Sequence, residues 1–516
     1  MALASKEQLK NAIFYCKEKP DLLFDIFNSF QANNRITSRS RVYGIEFDIT
    51  DSNPACTRIA DAAKLKNDFV VGSTFQLNNG INDFDNVFPW CDIRLCNLSI
   101  VNGKKVITYQ GDPAFKRDGS NGDVMVEIPK FYSMRERIGN IERWAITGEP
   151  KSGFNVEPAF FVGGKEVDFV YVGVYNTADT AAASTGAYSY TGTKPKSMRT
   201  LTNFIADYAA KGLYSYDFAT FLMLQKLVTI EFGTRYVKQY LGGIGALNYG
   251  GVAATNTAAG SNIITASTSG HRLTNFRVGH QAGISPAGNI PPAITNYRTI
   301  TNIVDNGNNT WTFTFDGSPL DITAGTSKIY GIYQINGRTD SIAYHTGRET
   351  GDNFTSAFKY RHMENIWGNI WERMAGLRIK ELKYYYTFEP TKYSDLVIDD
   401  WDVISYAAPN QPYLGDDGQN RAWIVRMGYD VNDRIIALPD LVGNANGGLS
   451  TKFYDSCFYS QYDVTRTGAP LDTTLMYESV IGGAWDHYLC GGPFTLRMYV
   501  LPDNTEWLYG SRIIYR

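Results

Sequence analysis

Charge is scarce in this chain. Only 20% of its 516 residues are Asp, Glu, Lys or Arg, and the formal net charge is -3. So near neutrality, the chain has no general field to draw it onto nucleic acid or an anionic membrane, and neither partner is expected. Long apolar runs are missing too. No stretch reaches eighteen consecutive apolar residues, so no membrane insertion is expected. The opening MALASKEQLKNAIFYCKEKPDLL lacks the apolar centre of a secretory signal. Cysteines are few and scattered, at Cys16, Cys56, Cys91, Cys96, Cys457 and Cys490. Cys91 and Cys96 form a CxxxxC without the second pair a zinc site needs, which leaves reduced thiols in a protein made in the cytoplasm. The five histidines, His271, His280, His345, His362 and His487, form neither HExxH nor a paired spacing, and no GxSxG elbow occurs.

Aromatic residues, by contrast, make up 14% of the chain, with 34 tyrosines, beside 48 glycines. That composition suits β-rich folds with wet binding faces. Residues 1–40 read as a helical segment whose Leu22, Leu23, Phe24, Ile26, Phe27 and Phe30 would pack on a partner, on sister chains or on its own domain. Over 41–195, VYGIEFDIT, FVVGSTFQL, KKVITYQGD, DVMVEIPKFY and EVDFVYVGVY read as strands separated by turn residues. Leu201, Phe204, Ile205 and Tyr208 then fall on one helical face, with Thr200 as N-cap and Gly212 past the end. A second helix, from about Tyr216 to Phe232, is apolar nearly all round and should be buried. Residues 241–341 read as a β-rich insertion, poor in charge and rich in Gly, Thr and Asn. Within it Trp311, Phe313 and Phe315 share one face, and GGVAATNTAAGSN is expected to be an extended surface loop.

The last 35 residues hold the densest set of interface-type side chains. The candidate ligand-binding residues are Trp485, Asp486, His487, Tyr488, Thr495, Arg497, Tyr499, Asp503, Asn504, Trp507 and Tyr509. Around them FTLRMY alternates, so Phe494, Leu496 and Met498 should point inward and Thr495, Arg497 and Tyr499 outward. Acidic clusters at Asp399, Asp400 and Asp402 and at Asp416 and Asp417 have oxygens that suit structural calcium. They lack an EF-hand register, so no metal ligand and no cofactor is assigned.

ENIWGNIWE at Glu364 to Glu372 and IGGAWDHYLCGGPF at Ile481 to Phe494 resemble the two signature blocks of the formylglycine-generating-enzyme-like branch of the C-type lectin fold. Gly510-Ser511-Arg512 stands where that branch more often has Gly-Phe-Arg. DVMVEIPKFY, INGRTDSI and KYRHMENIWGNIWERMAGL are similar to phage and prophage tail proteins that carry this domain at their C-terminus. The terminal block resembles the variable region of retroelement-diversified proteins, the family of the major tropism determinant, in which fixed apolar residues frame variable ones.

The resemblance implies an α+β chain: a C-type-lectin-like ligand-binding domain from 196–240 and 342–516, preceded by the β-rich 41–195 and interrupted by the 241–341 insertion. It implies a homotrimeric receptor-binding protein of the phage tail tip or tail fibre, located in the virion, made in the host cytoplasm and docked on other tail or baseplate proteins. Its expected ligand is a host cell-surface glycan or protein. A structural baseplate component and a polysaccharide-degrading tail enzyme are the alternatives. Oxidase chemistry of the formylglycine-generating kind is not expected. That chemistry needs two thiols in the terminal block, and the chain offers Cys490 alone, with His487 and Gly492 in the places of the pair.

Overall fold

The computed structural model describes residues 38–69, 82–245, 251–267, 276–289, 296–349, 355–409, 422–443, 454, 456–459, 472–485 and 491–516. The segment at 1–37 with its expected oligomerising face, most of FVVGSTFQL, and the Asp416-Asp417 cluster lie outside these residues.

The architecture is mostly strand with few helices. Only the helices Leu201–Ala209 and Phe218–Phe232 exceed four residues among the described ones, so the expected α+β class reduces to a β-rich fold carrying two substantial helices. Both helices start as their sequences dictate. The Thr200 hydroxyl accepts from the Asn203 amide at 3.1 Å, and the Asp217 carboxylate from the Thr220 amide at 2.9 Å, each satisfying an amide that the first turn leaves open. The second helix ends at Gly233, whose left-handed φ of 65° closes it. All fifteen of its residues are buried, including Lys226 and Glu231. Those charges are matched: Lys226 donates to Glu157 at 2.9 Å, and Glu231 takes Arg361 at 2.5 Å and the Tyr360 hydroxyl at 2.8 Å.

Among the described residues the chain forms four larger sheets, with two two-stranded sheets and one three-stranded sheet beside them. Strands 57–60, 42–48, 141–147, 132–138 and 155–156 form the first in that order. The second runs 214–215, 513–515, 169–173, 123–129, 94–101 and 104–109. It takes strands from both sides of the boundary expected at 195/196, because Tyr171 pairs with Tyr515 and Val170 with Ile128. One large core continues across that boundary, from Tyr43 through Phe221 to Ile514. The insertion, by contrast, forms its own six-stranded sheet between Val252 and Gly331 around Ile264, Phe313, Phe315 and Ile329. Its Trp311, Phe313 and Phe315 pack together, with Trp311 partly buried. The expected surface loop GGVAATNTAAGSN is corrected: Val252–Ala253 and Ala258–Ser261 are short strands, paired with Lys328–Gly331 and Leu320–Ile322.

The fourth sheet, of nine strands, carries the C-terminal region. Its order is 402–407, 383–386, 371–380, 477–481, 496–500, 457–459, 422–427 and 439–443, with 509–510 lying parallel to Trp371 and Glu372. Among the described residues no helix is long and apolar enough to cross a membrane.

Candidate ligand-binding face of the C-terminal sheet

The two sequence blocks singled out above meet in space. Gly368, at φ 74°, donates its amide to the Gly482 carbonyl at 3.1 Å, and the Trp485 amide donates to the Asn369 carbonyl at 3.2 Å. Gly368 has no room for a Cβ, which would lie 2.7 Å from the Ile244 carbonyl oxygen. The Asn369 side chain accepts from the Gln334 amide at 2.6 Å and donates to the Gln334 carbonyl at 3.1 Å, tying the end of the insertion to the turn. Trp367 and Trp371 bracket that turn without sharing a face. Trp367 enters the large core and Trp371 a second cluster.

Below this junction sits a buried ion pair. Arg512, of the Gly510-Ser511-Arg512 motif, donates Nη2 to Glu372 at 2.7 Å and reaches the carbonyls of Gly173, Val174, Glu364 and Asn365. Glu372 also accepts from Asn176 at 2.7 Å. A guanidinium with this many acceptors is fully used, so the pair locks the C-terminus to the first block and leaves nothing for a ligand.

The strand Leu496–Val500 lies antiparallel to Tyr477–Ile481 and parallel to Cys457–Tyr459. Phe494, Leu496 and Met498 enter the large core, as their alternation predicts. The other face is corrected in part. Thr495 is 0% exposed, and the strand is covered on that side by a second aromatic cluster of Trp371, Trp423, Tyr459, Trp485, Trp507 and Tyr509. Trp485 and Trp507 lie 5.1 Å apart and are buried, as is Tyr509. Burial leaves Trp485, Thr495, Trp507 and Tyr509 little surface to offer a ligand. The physical reason is the return of the 501–509 segment over the sheet, which brings 509–510 against Trp371.

Arg497 and Tyr499 remain half-buried, and among the described candidates only Asp503 is exposed, with Asn504 half-exposed beside it. Asp486, His487, Tyr488 and Cys490 lie outside the described residues. The Arg497 guanidinium stands 4.3 Å from the Tyr499 ring, 5.6 Å from Tyr459, 5.7 Å from Trp371 and 5.8 Å from Tyr509. Its Nη2 donates to the Tyr499 hydroxyl. Burial opposes its charge, but the phenols around it outweigh that and hold the guanidinium protonated, its pKa displaced upward. Beside it, Arg373 donates to Glu478 at 2.9 Å and lies 5.2 Å from the Tyr509 ring.

No known protein family matches the chain, and no curated protein matches it. The site therefore stands on its geometry: a rigid sheet, sealed on one face and partly sealed on the other, with a cation and a phenol held at the opening. Sequence reading missed Tyr459 and Trp423, and it gave Trp371, within the first block, no part in this face. No local pattern ties Tyr459 and Trp371 to Arg497, because a parallel pairing sets Tyr459 beside it and a chain return sets Tyr509 beside Trp371. Of the acidic residues near Asp399, Asp400 pairs with Lys392 at 2.6 Å.

Proposed function

We propose that this chain is a receptor-binding protein of a phage or prophage tail, homotrimeric in the virion, whose C-terminal region has a C-type-lectin-like fold. It attaches to a host surface glycan or protein through the opening around Arg497 and Tyr499. The observation that carries the reading is the convergence of the two sequence blocks, Gly368-Asn369 on Gly482 and Trp485 and Glu372 on Arg512, with Trp371, next to Glu372, 5.7 Å from the Arg497 guanidinium. Such an arrangement supports a rigid scaffold with a few display residues, in which affinity comes from aromatic contact and directed hydrogen bonds without covalent chemistry. Several copies on one tip would raise a modest single-site affinity by avidity.

The test is adsorption of the labelled full chain to a panel of bacterial strains. The reading expects saturable binding to a subset of strains and protection of those strains from a phage bearing the protein. Incorporation into virions with adsorption to no strain would replace it with the structural baseplate role. Release of oligosaccharides from capsular polysaccharide by the purified chain would replace it with the enzymatic one.

A further inference from the structure

Nearly every other enclosed arginine of the C-terminal sheet and its borders has a carboxylate. Arg373 and Arg378 share Glu478, Arg512 takes Glu372, Arg516 takes Asp217, and the more open Arg426 takes Asp440. Arg497 does not. Among the described residues no carboxylate lies within ion-pair distance of it, and its Nε is out of reach of solvent without an acceptor. No described residue accepts from its Nη1 either, and its one hydrogen bond goes to the Tyr499 phenol. Ring faces attract a cation but do not neutralise it. A half-buried, always-charged group with no counter-ion among the described residues therefore favours an anion arriving from outside, in a setting where partial desolvation strengthens the attraction.

We infer that Arg497, framed by Tyr459 and Tyr499, is an oxyanion site that binds a carboxylate, sulfate or phosphate group of the surface ligand. The inference takes its biological meaning from the receptor-binding reading, but its test does not depend on that reading.

The full chain is titrated with glucuronate, sulfate and inorganic phosphate by calorimetry at low and at high sodium chloride, in wild type and in Arg497→Gln and Arg497→Lys. Saturable binding of at least one anion is expected, weaker at high salt and about 10- to 100-fold weaker in Arg497→Gln, with Arg497→Lys intermediate. The three anions separate carboxylate from sulfate and phosphate recognition. A second readout needs no variant: the bound anion should protect Arg497 of the wild-type chain from modification by a dicarbonyl reagent, located by mass spectrometry. Binding that is absent, or equal in wild type and folded Arg497→Gln, overturns the inference, as does unchanged modification of Arg497. Adsorption to cells in the face of that failure would leave the receptor reading intact, and anion binding without adsorption would remove the receptor reading alone.

Discussion

Glu372 and Arg512 are 140 residues apart in sequence and 2.7 Å apart in the fold, both out of solvent. Removing one partner of such a pair strands the other, so Glu372→Gln should cost about 3–5 kcal/mol. Chemical denaturation measures this, and a loss under about 1 kcal/mol would mean that the pair does not lock the terminus. Trp507 makes a different point. Its type suggests an exposed contact, yet it is 6% exposed and packs on Trp485, so Trp507→Ala should destabilise by about 3–5 kcal/mol. An unfolding curve unchanged by that substitution would return Trp507 to the surface. Glu364 couples the fold to pH. It accepts from the amides of Gly337 and Thr339 at 2.9 and 2.7 Å, but burial outweighs these bonds and raises its pKa from 4.5 to about 7. The folded state therefore holds a proton that the unfolded chain releases. The stability this supplies is full below about pH 4.5 and is lost as pH rises through 7. Relative to wild type, Glu364→Gln should lack this component between pH 4.5 and 7, and parallel stability profiles in the two proteins would contradict it.

Among elements, those with strong local signals were the legible ones. The Thr200 cap and the all-apolar helix follow from short-range rules and stand where those rules put them, while the second helix begins at Phe218 behind an Asp217 cap, two residues after its expected start at about Tyr216. The inward set Phe494, Leu496 and Met498 was legible for the same reason, strand alternation being local. What covers the opposite face was not. Alternation tells which residues share a side, while the return of the 501–509 segment and the parallel pairing with Cys457–Tyr459 decide whether that side meets water. Thus Thr495 is buried although its neighbours in the pattern are half-open. The short strands within GGVAATNTAAGSN escaped for a related reason: Gly, Ala and Thr give weak local preference, and partners about 60–75 residues downstream fix their conformation. The insertion itself is a separable element. Val252 pairs with Ile329, so its ends lie side by side, and its core is its own. Replacing 253–328 by a short Gly-Ser linker should leave the remaining chain folded, with a cooperative thermal transition. Loss of that transition would show that the insertion is needed to assemble the C-terminal sheet.

At the scale of the whole molecule, the 41–195 region and the C-terminal region are one construction. Strands 513–515 complete a sheet begun by 94–101 and 123–129, and a single core runs beneath both. Truncation at 195/196 would expose that core, so attachment should be studied on the full chain. The composition had pointed to a β-rich protein with an aromatic face, and the block resemblance to its position. Neither could reveal that most of that face is closed, leaving Arg497 and Tyr499 at the opening. The central claim is that this opening makes the contact with the cell. Its most direct test is host-cell adsorption of Arg497→Ala and Tyr499→Ala, each paired with thermal unfolding, beside Val106→Ala on the distant 104–109 hairpin as control. The account predicts that both opening variants stay folded and lose about 1–3 kcal/mol of adsorption free energy while the control adsorbs like wild type. Wild-type adsorption by both folded opening variants would contradict it.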